Sequence, residues 1–444
     1  MEDLFFSKVL AIFFSLSILG VAWFVARANR TWLLPSVIFS FFWFLYTFLP
    51  LVFLFNVPIH PETVLYILVY CCAFHASSFL FNWRDAKKIF YTNKVVTKEI
   101  SKFNSLFINR CFYSIQAFVI FTIFMDIILQ GFSLKSIIFD LMATSSSYIN
   151  LRYSGDLNES MLTRVGTVFT YVGAILGGFV FYFQNKKISL TVTLIIMLIP
   201  STLLMVVQGA KGAVFLCMFL FYGSLLVCNF YKMKTTLTDS RINKLLFYSV
   251  IILIPAIVSS FLSRGLYDQD MSFVIDKLKM YFYSYAFAHL YAFSDWFGAL
   301  IGYNSTMDYD LNIDLHYGFY TFMAPFRLFG VNEYVPPGVY EEYFYYKNVL
   351  KSNIYTMFRG VILDYGIIGS LIFSFIFGIM ANGVYFLMHV MKKPYLMVSI
   401  YICLFGFYYT SFIISIFIWN SLFVTIIVLY FILKFNSVKL NKTR

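Results

Sequence analysis

Lys211, Arg264, Arg327 and Arg359 are the side chains with which this chain could grip an anion. Lys211 lies in the turn Gly209-Ala210-Lys211-Gly212, Arg264 follows an apolar run, and Arg359 opens another behind Asn353-Ile354-Tyr355-Thr356. A guanidinium is a planar fork that binds phosphate oxygens in pairs, and lysine adds a point charge. Several such groups converging on one cleft would fit a diphosphate. Each alone would serve equally well as an anchor to lipid headgroups. Arg152 is a further, isolated cation, and Asn353 and Tyr355 add polar groups that could line the same site. Candidate bases are the carboxylates Asp268, Asp270, Glu341, Glu342 and Asp364, together with His316. Asp364 differs from the rest, because it sits about one turn inside an apolar run, where an ionised group is costly and normally partnered.

Other chemistries are poorly represented. His289 and His316 are the histidines of the segment from 263 to 359, and all six cysteines fall in apolar runs elsewhere. No His/Cys set has zinc-ligand spacing, so no metal is expected. No phosphate-binding glycine loop or dinucleotide turn occurs, and no soluble segment is large enough to hold a nucleotide sugar. No cofactor is expected either. A substrate handled here would have to arrive already activated.

The elements that must position these residues are membrane helices. A chain that is 61% hydrophobic, 22% aromatic and 12% charged has too little polar surface to cover a soluble core of this length. Its apolar runs of about 20 residues match a hydrocarbon core roughly 30 Å thick at about 1.5 Å per residue. The net charge of +12 would suit nucleic acid, but it gathers in short loops between runs, as the positive-inside rule requires. Nucleic acid is therefore not an expected partner; the lipid bilayer is. The loop from Arg84 to Asn104 holds six Lys/Arg against two acids and is read as cytoplasmic. Counting from it predicts eleven spans, with the N-terminus outside and the basic tail from 434 to 444 inside. Residues 1–262 carry the first eight spans, 263–359 form one large periplasmic loop, and 360–433 carry the last three. Arg110 and Asp126, near opposite ends of the fourth span, are expected to act as interface anchors.

Within the large loop, aromatic residues crowd between Tyr281 and Phe297. Aromatics with polar tips belong at the membrane–water boundary, which predicts an interfacial or re-entrant helix. Faces that stack on sugar rings or a lipid tail are compatible with the same run.

The run Asn353-Ile354-Tyr355-Thr356-Met357-Phe358-Arg359, followed by Asp364-Tyr365-Gly366-Ile367-Ile368-Gly369, resembles the segment after the large loop of bacterial O-antigen polymerases and related oligosaccharide repeat-unit polymerases. Gly209-Ala210-Lys211-Gly212 is similar to that family's small-residue turn, with lysine where arginine is more usual. The resemblance implies an all-α polytopic membrane protein of the membrane-embedded GT-C-type glycosyltransferases, in the bacterial inner membrane with its site facing the periplasm. The implied reaction moves a growing glycan from undecaprenyl diphosphate to a lipid-linked repeat unit, so donor and acceptor are both undecaprenyl-diphosphate-linked oligosaccharides. A polysaccharide chain-length regulator is an implied partner. Arg264, Arg327 and Arg359 with Lys211 would then neutralise the leaving diphosphate, and Asp268, Glu341 or His316 would serve as base. O-antigen ligases share this architecture. A transporter or flippase of lipid-linked oligosaccharide is the rival from another class, but the chain lacks the internal repeats that such folds carry.

The charge pattern makes a direct prediction about orientation. Cysteines placed between Met307 and Asn312 should react with an impermeant reagent in intact cells, and those between Lys94 and Lys102 should be protected. The opposite labelling would invert the topology.

Overall fold

The computed structural model describes residues 2–92, 102–133, 135, 139–154, 160–209, 211–238, 243, 249, 251, 254–255, 257–258, 261, 270–311, 314–331, 335 and 339–442. The chain is an all-α, multi-pass membrane protein: nine helices among the described residues are long and apolar enough to cross a membrane. A tenth apolar helix, Tyr395–Thr410, has 16 residues. The eighth span expected from the sequence, 245–262, lies largely outside the described residues. The chain divides into two compact units.

The first unit comprises Met1–Lys88, Met271–Val390 and Phe407–Asn420. It contains α1 (Glu2–Ala28), α2 (Pro35–Phe53), α3 (Pro61–Ala76), α4 (Met271–Ala286), α5 (Ala288–Leu300), the short α6 (Met323–Leu328) and α7 (Thr356–Val390). Two three-residue strands, β1 (Phe344–Tyr346) and β2 (Leu350–Ser352), pair antiparallel with Tyr345 opposite Lys351. Pro35 and Pro61 start α2 and α3, where a missing N–H costs nothing and the fixed φ suits the first turn.

Polar side chains tie this bundle together where apolar contact with lipid gives no preference for one helix neighbour over another. Ser15 and Thr47 join α1 to α2 through a 2.7 Å hydroxyl contact. The Lys8 ammonium donates to the Leu54 carbonyl and the Tyr291 hydroxyl, and Tyr291 in turn donates to the carbonyls of Pro50 and Leu54. The Pro50 and Leu54 carbonyls at the end of α2, which already accept the N–H groups of Leu54 and Val57, thus gain second donors from a lysine and a phenol. On α7, Ser370, Ser374, Gly378 and Asn382 recur every fourth residue and face α3. Ser370 meets the Tyr66 hydroxyl, Ser374 donates to the Tyr70 carbonyl and Asn382 donates to Ser77. The opposite face of α7 shows Ile368, Ile372, Ile376 and Met380 outward, as suits contact with acyl chains.

The aromatic run, expected from the sequence to form an interfacial or re-entrant helix, is packed inside the unit in α5. Every residue from Ala288 to Ala299 is buried, including Trp296 and His289, whose Nε2 lies 3.0 Å from the Tyr46 carbonyl oxygen. The reason lies in the small residues between the rings. Gly298 leaves room for the His60 ring and Ser294 accepts from the His60 N–H, so the rings pack inside the unit. His75, on α3, meets Ser40 at 2.9 Å as a packed polar residue.

The second unit comprises Ile89–Asp270, Met391–Gly406 and Ser421–Arg444. Its helix Met161–Phe183 presents Gly166, Gly173 and Gly177 to Thr122, Gln116 and Phe112 of helix Leu106–Leu129. Asp126 is not an interface anchor here. It is 1% exposed and accepts hydrogen bonds from Tyr148 (2.7 Å), Ser160 (2.9 Å) and the Thr163 hydroxyl. Three donors gathered at the start of one helix and the side of another hold a carboxylate that water would otherwise have to reach.

Close packing on α7 yields a test. A Cβ at Gly378 would lie 2.6 Å from Phe74 Cδ2 and 2.8 Å from its carbonyl oxygen, whereas one at Gly383 would find nothing nearer than 3.5 Å. Gly378→Ala should therefore destabilise the purified protein by about 1–3 kcal/mol, as overpacking does. Gly383→Ala should leave the melting temperature in detergent unchanged, and equal effects of the two would refute the packing account.

Candidate functional site

The site begins with a break in a helix. Inside α7, Gly366 adopts φ 70°, ψ 175°, a conformation open essentially to glycine alone. A helix that breaks there leaves the carbonyls of the preceding turn without their usual donors. The chain from 315 to 321 supplies replacements: the backbone N–H of His316 donates to the Leu363 carbonyl and that of Tyr317 to the Asp364 carbonyl. The Asp364 side chain completes the hold, accepting from the N–H groups of Tyr320 (3.0 Å) and Thr321 (2.7 Å) and from the Thr321 hydroxyl (2.6 Å). Asp364 is fully buried and has become an anchor for this loop.

The anchored loop places Tyr320, and Tyr320 stacks on Tyr340 with ring centroids 6.1 Å apart. Tyr340 is one wall of a cage around Arg359. The guanidinium carbon lies 4.1 Å from the Tyr340 ring centroid, 4.4 Å from Tyr355, 5.2 Å from Trp296 and 5.7 Å from Tyr309. Each distance lies within the roughly 6 Å over which an aromatic face attracts a cation. Trp296 comes from buried α5. Asp295, its neighbour, holds Tyr309 by a 2.9 Å hydrogen bond and fixes the backbone N–H and hydroxyl of Thr306. Burial pushes the phenols of Tyr309, Tyr340 and Tyr355 upward from their ordinary value.

Arg359 is 4% exposed. Its Nη2 donates to Glu342 Oε1 at 2.8 Å, and the Glu342 side chain keeps 24% of its surface open. The alternation of the extended chain explains why this glutamate and not its neighbour reaches inward. Tyr340, Glu342 and Phe344 point in, whereas Glu341 and Tyr343 point out. Tyr355 donates to the Glu342 carbonyl and so holds the strand against the cage. Four donors in or against this cage have no hydrogen-bond partner among the described residues: Arg359 Nε, Arg359 Nη1, Trp296 Nε1 and the Tyr340 hydroxyl. An unpaired buried donor costs about 1–3 kcal/mol, and more when charged. Backbone strain collects here too. Val339 (φ 76°) and Thr356 (φ 66°), both β-branched, adopt left-handed conformations immediately beside Tyr340 and Tyr355.

The sequence-derived candidates are distributed unevenly. Arg359 and Tyr355 lie in the cage, whereas His316 is half-buried and edge-on at 4.9 Å to Tyr320, the ring that backs Tyr340. Asn353 is half-buried beside β2, and Glu341 is exposed. Arg327 ends α6 next to Leu328 and Phe329, which are 75% and 88% exposed, in the manner of an interfacial anchor. Lys211 belongs to the second unit, where its ammonium lies 3.3 Å from the Phe261 ring centroid. The backbone of Arg152 continues the helix Leu141–Ser154 of that unit. Arg264 and Asp268 lie outside the described residues. Tyr309, Tyr340 and Asp295 carry no signal of their own in the sequence, and Trp296 stands out there only as a member of the aromatic run. Among the described residues no cluster of three or more metal-ligating side chains occurs.

Beside the kink a groove of about 460 Å³ opens between Leu315, Tyr317, Tyr365, Gly369, Ile372 and Phe373, with Asp364 at its polar end. Fold and site together define a multi-pass α-helical membrane protein with a caged arginine at one end of a spanning helix. No protein-family model, curated protein or solved structure matches the chain.

The cage makes its own prediction. Tyr340→Phe retains the aromatic face and removes an unpaired hydroxyl, so the melting temperature should hold or rise. Tyr340→Leu forfeits the cation–π contact and should cost about 1–2 kcal/mol. If both variants lose stability equally, the face of Tyr340 is not what holds the guanidinium.

Proposed function

We propose that this protein is a membrane-embedded glycosyltransferase acting on lipid-linked oligosaccharide, of the polymerase type that the segment from Asn353 to Gly369 resembles. The carrying observation is the group of unpaired buried donors around Arg359, mounted where a spanning helix begins. Donors held in fixed positions away from water stabilise developing negative charge without having to reorganise during reaction. A lipid diphosphate leaving group develops such charge. Its isoprenoid chain would lie along the apolar groove beside Asp364, which places the diphosphate toward the Arg359 turn. Aromatic faces and protonated phenols suit the sugar that the diphosphate carries. His316, half-buried against the Tyr320 ring that backs Tyr340, is the proposed base for the acceptor hydroxyl. On this reading the site faces the periplasm.

The assay is glycan formed per correctly inserted protein from undecaprenyl-diphosphate-linked repeat units. Arg359→Ala should lower turnover on the order of 10²–10³-fold, as for loss of one preorganised electrostatic donor. Arg359→Lys keeps the charge without the planar fork and should also be clearly impaired. Near-wild-type turnover in Arg359→Ala would remove the residue from the machinery. A ladder of products marks a polymerase, a single transfer to a different acceptor marks a ligase, and movement of intact substrate without transfer would reject the enzyme reading.

A further inference from the structure

The Arg359–Glu342 pair is lopsided. The arginine is buried and uses Nη2 alone, leaving Nε and Nη1 unpaired, whereas the glutamate is partly open to solvent. Two buried charges that exist only to stabilise a fold normally satisfy their remaining hydrogen-bond capacity, since half-satisfied buried networks are worse than none. Here the guanidinium is neutralised at one corner by a side chain from a short extended segment. That segment is attached by the Tyr355–Glu342 carbonyl contact and by the two-residue-period packing that leads into β1. The other two carboxylates of the neighbourhood are engaged elsewhere: Asp364 with the loop at 320–321, and Asp295 with Thr306 and Tyr309.

We infer that Glu342 is a placeholder for the substrate's phosphate: it occupies the accessible corner of the Arg359 guanidinium at rest and is displaced when a diphosphate enters. This rests on the lipid-diphosphate reading above and adds a gate to it. The cage as described is closed, because Nε and Nη1 are buried behind the aromatic rings and Glu342 fills the corner at Nη2. Entry of an anion therefore requires Glu342 to leave, and its departure removes one negative charge from the cleft as the ligand brings its own. Binding becomes an exchange of one carboxylate for one diphosphate. Without a ligand, Arg359 is never left as a bare buried cation. With one, the fork gains the paired acceptors that it lacks at rest. Outward swing of the segment around Glu342 would also free the face of Tyr340, making the aromatic wall available to the first sugar only when the diphosphate is already seated.

The test uses the purified full chain and inorganic pyrophosphate as probe, with binding measured by calorimetry. Glu342→Gln preserves shape and removes the competing charge, so it should bind pyrophosphate about ten-fold more tightly or better than wild type. Combining it with Arg359→Gln, which removes the positive charge that Glu342 occupies, should abolish that gain. Equal affinities of wild type and Glu342→Gln, or a gain that persists in the double variant, would overturn the proposal. A second measurement does not depend on how Glu342→Gln folds. In a background with Cys72 and Cys111 replaced by serine, a spin label at Glu341→Cys should become more mobile on adding pyrophosphate; unchanged mobility at saturation also overturns it. The two readings fail separately. Pyrophosphate exchange without glycan transfer would reject the transferase alone, and transfer without exchange would reject the placeholder alone.

Discussion

The site depends on one carboxylate and the helix break beside it. Asp364 and the carbonyls freed at Gly366 collect five donors from residues 316–321, and that grip fixes everything that follows. Tyr320 is placed by it, Tyr340 stacks on Tyr320, and Arg359 sits against Tyr340, one and a half turns earlier on the same helix. An ionisable group inside an apolar helix is costly, and here the cost is offset by hydrogen bonds that also do positional work. A straight α7 would leave these carbonyls satisfied within the helix, and the loop would have nothing to hold.

Arg359 illustrates how a membrane protein keeps a cation out of water without a full shell of acceptors. Four aromatic faces contribute electrostatic attraction without supplying hydrogen-bond acceptors, so the charge is stabilised while Nε and Nη1 stay uncommitted. A second carboxylate in contact with it would have made a more stable structure and a less useful one. The left-handed Val339 and Thr356 point the same way, since such strain persists where surrounding contacts impose it and tends to cluster at functional sites.

Much of the architecture was legible because lipid imposes a simple rule on sequence. Run length and loop charge suffice to read a polytopic α-helical chain, and the isolation of Arg359 and Asp364 in apolar surroundings singles both out. The cage was not legible, for a physical reason: Trp296, Tyr309 and Tyr340 are three aromatics among dozens, and only tertiary contact distinguishes them. Glu341 and Glu342 cannot be told apart from composition, because which one faces inward depends on the phase of a short extended stretch. For α5 a usable signal was present. Small residues threaded through an aromatic run mark close helix contact, whereas the aromatics alone suggest an interfacial or re-entrant helix. Asp126 escaped for a related reason, since its three hydroxyl partners are individually unremarkable residues.

The clasp made by Lys8 has a consequence for biosynthesis. Its two acceptors lie 46 and 283 residues downstream, in the carbonyl of Leu54 and the hydroxyl of Tyr291. At roughly 5–20 residues per second, ribosomes deliver the second some tens of seconds after the first helix. The Leu54 carbonyl therefore shelters the ammonium through that interval, within a hairpin of α1 and α2 that assembles early. When α5 emerges, Tyr291 meets a docking point already built from the amino-terminal hairpin. The helix that carries Trp296 to Arg359 is thus seated on two helices that are synthesised before it.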